Sequence, residues 1–318
     1  MDERAEWLSR RERGTMLGFR AALLVLRVLG RTVARALTAM IALYYTLGSR
    51  RVRDVVRSFH QRLSGDTPGF GAIYRHVRTF AHVVLDRFLL VPRNAKRFVI
   101  TRNGNEHLEG LHARHEGALL VGAHLGGYDA MRMSATQEKF RLHILGYFEN
   151  ARMVNSLLGE LDPTHSQQVM AIRPGDANQM LRVRELIEAG DLVALAADRV
   201  GLNEKTISVP FLGAPAPFPT GPWILASLLR CRVYLTFGIY RAPNRYELYC
   251  EPFADRIVLP RARRDEALRE YVERYAARLE EFARRAPENW FNFYDFWAVR
   301  PAEDAKRPDQ SSQGSAIE

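Results

Sequence analysis

Nine histidines are spread along the 318 residues, and one of them stands where chemistry is expected. His124 follows the apolar run ALLVGA (118–123) and precedes Leu125, Gly126, Gly127, Tyr128 and Asp129, after which a helical pattern begins. A strand running into a loop and then a helix places the imidazole at a strand's carboxyl end, the edge at which open α/β sheets bind ligands. Five residues is not the facing spacing of a continuous helix. A loop with two glycines can nevertheless fold back so that Asp129, in the first helical turn, meets the ring. The helix dipole favours a carboxylate there. Such an acid holds the Nδ1 proton, fixes the tautomer and leaves Nε2 to take a proton from a nucleophile. Backbone amides at Gly126 and Gly127 are expected to stabilise a tetrahedral oxyanion. The chemistry of this set is general-base acyl transfer, with His124 and Asp129 as the catalytic pair.

A bare His-x4-Asp pair is a weak pattern, so the rest of the chain must supply context. Arg152 opens a helical stretch after a strand, where a guanidinium can clamp a phosphate or carboxylate; an exposed surface arginine reads the same way. Asp198 and Arg199 follow the strand DLVALAA and suit binding of an acceptor headgroup, support of His124 or a structural ion pair. Arg173, after VMAI, is a weaker candidate of the same kind. Phe211, Gly213, Thr220, Gly221 and Pro222 are expected to form a loop over an acyl donor, with Thr220 capping the next helix. The aromatics of ENWFNFYDFW suit an acyl tunnel, a membrane interface or the core. No Gly-x-Ser-x-Gly elbow, P-loop or dinucleotide-binding glycine pattern occurs. His107, His112 and His115 lack the carboxylate arrangement of a catalytic zinc site.

These residues are carried by an alternation of strand and helix signals. Strand-like runs fall at 97–101, 118–123, 141–148, 169–172 and 191–197, with helical stretches between them, and TISVPF, RVYLTFGIY and RYELYCEPF follow. The last two are separated by Arg241 to Asn244, which reads as a hairpin. A charged helix from about Arg264 to Arg285 leads to the aromatic segment. The pattern predicts an α/β fold: a central mixed, mostly parallel sheet flanked by helices, preceded by an N-terminal amphipathic membrane-interface helical region. The expected organisation is 1–92 helical and membrane-associating, 93–300 catalytic, and 301–318 a disordered tail.

Hydrophobic residues make up 47% of the chain, enough for a large core, and 46 Lys and Arg against 36 acidic residues give a net charge of +10. That balance favours an anionic partner. Cys231 and Cys250 sit in strand-like segments without metal-type spacing, as reduced thiols of a cytosol-facing protein would. Helical patterns span about 17–48, 51–64 and 70–91. In the first, Arg20, Arg27, Arg31 and Arg35 share one narrow helical face amid apolar residues. Its longest charge-free stretch is short of the ~20 residues that cross a bilayer. The expected state is therefore a helix lying in the membrane interface, with its arginines among anionic headgroups; an internal helix with solvated arginines is the alternative.

The blocks above resemble those of the lipid A late acyltransferases, the lauroyl/myristoyl acyltransferase family within the lysophospholipid acyltransferase superfamily. The resemblance runs from EWLSRRERGTMLGFR to the closing aromatic segment. The family's His-x4-Asp/Glu pair matches His124 and Asp129. Its second block is similar to YFENARMVNSLL, offering Arg152 and Asn155, a third to GDLVALAADRVG, and a fourth to SVPFLGAPAPFPTGPWILA, with Gly213 and Thr220. Members usually read His-x-Gly-Asn-Trp-Glu, where this chain has Gly127, Tyr128 and Asp129. The HLGGYD block and the ending NWFNFYDFW depart from those members and resemble divergent relatives linked to other envelope lipids, such as aryl-polyene or amino-acid lipids. The resemblance implies an acyl carrier protein or coenzyme A thioester as donor, a membrane lipid or glycolipid as acceptor, and a peripheral or monotopic place on the cytoplasmic face of the bacterial inner membrane. No cofactor, metal or nucleic acid is required. A thioesterase or lipid hydrolase, and a noncatalytic membrane-binding protein, are the alternatives.

Overall fold

A computed structural model describes residues 20, 23–26, 28–147, 152–161, 168–172, 176–201 and 204–297. Among the described residues, positions 20, 23–26 and 28 are helical, and the helices α1 (Gly30–Gly48), α2 (Arg50–Ser64) and α3 (Phe70–Arg87) follow. The α/β part follows as β1 (Val99–Asn103), α4 (Asn105–Ala113), β2 (Ala118–Gly122), α5 (Tyr128–Gln137), β3 (Leu142–Gly146), α6 (Arg152–Leu161), β4 (Val169–Ala171), α7 (Ala177–Glu188) and β5 (Leu192–Ala196). It ends with β6 (Thr206–Phe211), β7 (Ala214–Pro219), α8 (Gly221–Leu229), β8 (Arg232–Arg241), β9 (Arg245–Ala254) and α9 (Arg264–Arg285).

Seven strands form one sheet in the order β1-β9-β8-β2-β5-β3-β4. Every pairing is parallel except the β8–β9 hairpin, so the mixed, mostly parallel sheet flanked by helices is as the alternation predicts. All five residues of β2 are buried, as both faces of a central parallel strand must be when helices cover them. Leu119 and Val121 join the core under α7, α8 and α9, whereas Ala118 and Leu120 join a second cluster with Leu111 of α4 and Ala135 of α5. Cys231 and Cys250 are both buried.

The segment APAPFP is strand β7, paired antiparallel with β6, and not a loop closing over a donor. Its prolines, which lack an N–H, hide the strand in the sequence, yet a two-stranded ribbon consists only of edges, where the missing donor is tolerated. Gly213 forms the turn, in the left-handed region at φ 78°. Phe211 is fully buried.

Two arginines of the N-terminal face have partners within the protein. Within the run expected over 17–48, residues 20, 23–26 and 28 are helical and α1 follows from Gly30, whose φ of 79° interrupts the run. Arg31 and Arg35 are held by groups of the protein. Arg31 makes a bidentate pair with Asp86 of α3, at 2.8 to 3.0 Å. Arg35 bonds the Tyr240 hydroxyl at 2.7 Å and His82 Nδ1 at 3.0 Å, and both arginines reach the Pro243 carbonyl. The face left to the outside is the apolar one: Val33, Met40, Ile41, Tyr44 and Leu47 are each at least 44% exposed. The arginine stripe serves as a docking seam because Asp86, with no exposed side-chain surface, requires a partner charge there. Arg27, Arg173 and residues 298–318 lie outside the described residues, and among the described residues no helix is long and apolar enough to cross a membrane.

Candidate active site

β2 delivers His124 to the carboxyl edge of the sheet, as its sequence predicts. The loop that carries it is stitched down on both sides. Phe291 N donates to the His124 carbonyl at 2.8 Å, Gly126 N to the Asn289 carbonyl at 2.7 Å and Gly127 N to the Gly238 carbonyl at 2.8 Å. Both glycines are required sterically. A Cβ on Gly126 would sit 1.7 Å from Gly238 O, and one on Gly127 would sit 2.6 Å from the Tyr246 ring. Their amides already donate to protein carbonyls, so the oxyanion role expected for them is not open in this structure.

The acid that holds the imidazole is Asp198, which follows β5, the strand beside β2. Its Oδ1 lies 2.8 Å from His124 Nδ1, while its Oδ2 accepts His124 N at 3.0 Å and Trp290 Nε1 at 3.1 Å. A carboxylate only accepts, so Nδ1 carries the proton and Nε2 presents its lone pair. Among the described residues no group bonds Nε2; the ring is 37% exposed against 1% for Asp198. Burial lowers the His124 pKa, with the nearby Arg199 guanidinium adding to the effect and Asp198 opposing it. Burial alone would raise the Asp198 pKa, but His124 and Arg199 outweigh it and hold the carboxyl below its usual range.

Asp129 does not meet the ring. It sits in the first turn of α5, 1% exposed, with Oδ2 2.7 Å from Arg87 Nε and Oδ1 3.9 Å from Arg132 Nε. Arg87 comes from the end of α3 and also donates to the Tyr128 hydroxyl. Sequence reading missed it: Arg87 lies 42 positions before Asp129, and one arginine in a basic helix gives no signal of its own. Its pKa is raised because the charges and hydrogen bonds of Asp129 and Tyr128 together outweigh burial, the largest single effect.

These groups open onto one cavity of about 1200 Å³, lined by His124, Tyr128, Asp129, Arg87 and Arg199 at its polar end. Its apolar part lies between the sheet and helices α4 and α5, over Leu120, Gly122, Ala194, Ile144, Leu248 and Cys250. Small residues at Gly122, Ala194 and Ala135 leave that space unfilled. The cavity also turns round the sheet edge toward Glu204, Pro222 and Leu225. Phe291, Phe293 and Tyr294 line it, whereas Trp290 and Phe296 belong to the core.

The other expected residues are placed less closely. Arg199 faces the cavity and donates to the Phe291 carbonyl at 2.8 Å. Thr220 precedes α8 without capping it, its hydroxyl donating instead to Lys205 O at 3.1 Å, while Glu204 bonds the helix's first amide, Gly221 N. Gly213 is a hairpin turn away from the cavity lining. Helix α6 begins at Arg152, but the side chains of Arg152 and Asn155 lie outside the described residues, as does Arg173.

An imidazole with a fixed tautomer, an open Nε2 and an apolar cavity beside it can deprotonate a nucleophile next to a long-chain substrate. No curated protein matches this chain. A family model does, that of the bacterial lipid A biosynthesis acyltransferases, over residues 5–298. With nearly the whole length matched, the chain belongs to the bacterial lipid A biosynthesis acyltransferase family.

Proposed function

We propose that the protein transfers a fatty acyl group from an acyl carrier protein or coenzyme A thioester to a hydroxyl or amine of a membrane lipid, with His124 as general base. The observation that carries this reading is the Asp198-held imidazole, its Nε2 unpartnered at the mouth of an apolar cavity. The acceptor gives its proton to Nε2 as it attacks the thioester carbonyl, and the collapsing intermediate expels a thiolate that recovers the proton. Direct attack fits a site with no nucleophilic Ser or Cys beside His124 among the described residues. Cys250 lines the cavity, but burial pushes its pKa to about 12, which suppresses the thiolate.

The cavity supports the acyl part of the reading. Its sheet face runs from β9 across β8, β2 and β5 to β3, four strand spacings or about 19 Å, the reach of an extended long-chain acyl group. The apolar face of α1 supports a peripheral place on a membrane, where an acceptor lipid is met. The net charge of +10 suits an anionic lipid surface and either acidic donor.

The test is thiol release by purified protein from acyl carrier protein and coenzyme A donors, with a panel of envelope lipids as acceptors. Acceptor-dependent release that falls at least about a hundredfold in His124→Ala is expected. Release unchanged in that variant removes His124 from the chemistry. Free fatty acid as the only product, whatever acceptor is added, assigns a hydrolase instead.

A further inference from the structure

The acyl-transfer reading leaves one charge without a partner: the oxyanion that forms when the thioester carbonyl becomes tetrahedral. The two glycine amides nearest His124 already donate to Asn289 O and Gly238 O. Another donor must face the cavity, and Tyr128, which lines it beside His124, supplies one. We propose that the Tyr128 hydroxyl, polarised by Arg87, is the donor that stabilises this oxyanion.

Three observations converge on it. Tyr128 opens helix α5, four residues after His124, and both side chains line the same cavity. Its oxygen accepts a hydrogen bond from Arg87 Nη2, and the guanidinium stands 4.9 Å from the centre of its ring. A phenol has one hydrogen to give, and among the described residues nothing accepts it. A hydroxyl that accepts from a cation donates more strongly in turn, because the chain of bonds polarises the O–H. Arg87 is itself fixed by Asp129 at 2.7 Å, so the donor is oriented before substrate arrives. Burial raises the Tyr128 pKa to about 12, which keeps the proton in place.

The proton balance closes without further groups. The acceptor's proton moves to His124 Nε2 as the new bond to the acyl carbon forms, and the carbonyl oxygen becomes an oxyanion held by Tyr128. The C–S bond then breaks, the carbonyl reforms, and the thiolate takes the proton from His124. Tyr128 stays protonated throughout and Asp129 remains the anchor of Arg87.

Calorimetric titration of the full chain with octylphosphonate and with octanol tests the proposal. The phosphonate presents tetrahedral anionic oxygens on the same alkyl chain, and octanol reports the cavity alone. The wild type is expected to bind the phosphonate more tightly, and Tyr128→Phe to weaken phosphonate binding at least tenfold while leaving octanol within twofold. Equal weakening of both ligands indicates packing only and overturns the proposal, as does an unchanged phosphonate affinity. If the wild type binds neither ligand, the acyl-site reading itself falls and takes this proposal with it. In turnover, Tyr128→Phe is expected to lower kcat by about 10²- to 10³-fold with KM little changed, the cost of one oxyanion donor.

Discussion

Replacing Asp198 with asparagine changes no volume, yet it is expected to disable the site through the tautomer of His124. Two of the three groups around the Asp198 carboxyl, His124 N and Trp290 Nε1, are donors that meet Oδ2, and only Nδ1 meets Oδ1. An asparagine satisfies both fixed donors by placing its oxygen on the Trp290 side, which turns its NH2 toward Nδ1. The ring must then accept at Nδ1, and its proton moves to Nε2, the atom that has to act as base. The opposite flip sets the NH2 against two N–H groups and is worse by two bonds. The expected loss in kcat is on the order of 10⁴, the known scale for a wrong tautomer beside a general base, or about 5 kcal/mol of barrier. Thiol release measures the loss, and the histidine ring ¹⁵N shifts read the tautomer independently. Asp129→Asn touches Arg87 and not the ring, so it leaves the tautomer as it is. An Asp198→Asn enzyme within tenfold of wild type, or one whose Nδ1 still carries the proton, refutes the assignment of Asp198 as the orienting acid.

Other consequences follow from the same geometry. Arg199 is the largest charge lowering the His124 pKa, after burial itself; Arg199→Met therefore moves the acid limb of the rate profile to higher pH, whereas Arg199→Lys leaves it near the wild-type position. An unmoved limb in the methionine variant removes Arg199 from the electrostatics of the base. Arg31→Ala leaves the buried Asp86 carboxylate with the Tyr246 hydroxyl at 3.1 Å and the charge of Arg35, which is not bonded to it, and breaking such a pair costs about 3 to 5 kcal/mol; urea unfolding measures it, and a loss below about 1 kcal/mol contradicts the docking seam. His76 is 1% exposed and burial lowers its pKa to about 3. The folded state then binds fewer protons than the unfolded state between about pH 3 and 6.5, so stability falls as pH drops through that window, by about 2 kcal/mol from pH 7 to pH 5 for this residue. A His76→Phe variant keeping the full wild-type pH slope shows that another group carries it.

The fold was legible wherever periodicity reported burial on one scale. The runs at 118–123 and 191–197 read as buried parallel strands because each is apolar on both faces, and they became β2 and β5. What stayed hidden were features that depend on who the neighbour is. β7 is a strand whose prolines suppress every strand signal, and it forms only because β6 offers a partner whose outer edge needs no donor. The arginine face of α1 was visible as a face, but an amphipathic pattern does not say which side meets the protein. Asp86 decides it, because a fully buried carboxylate is costly without a nearby cation, and its need lies 55 positions away from Arg31.

The site divides along the same line. His124 was found because a strand end and a glycine pair are local signals. The choice of its acid was not local, since Asp129 and Asp198 each sit within reach of a sheet edge and the sequence contains nothing that ranks them. The parallel pairing of β2 with β5 does, as it sets Gly122 opposite Ala196 and so brings the residues just beyond, His124 and Asp198, side by side. Two strands ending in register thus form a base and its orienting acid across a sheet spacing. Asp129 is released by that arrangement to anchor an arginine from α3, and the N-terminal helices accordingly help build the wall of the site as well as pack against it.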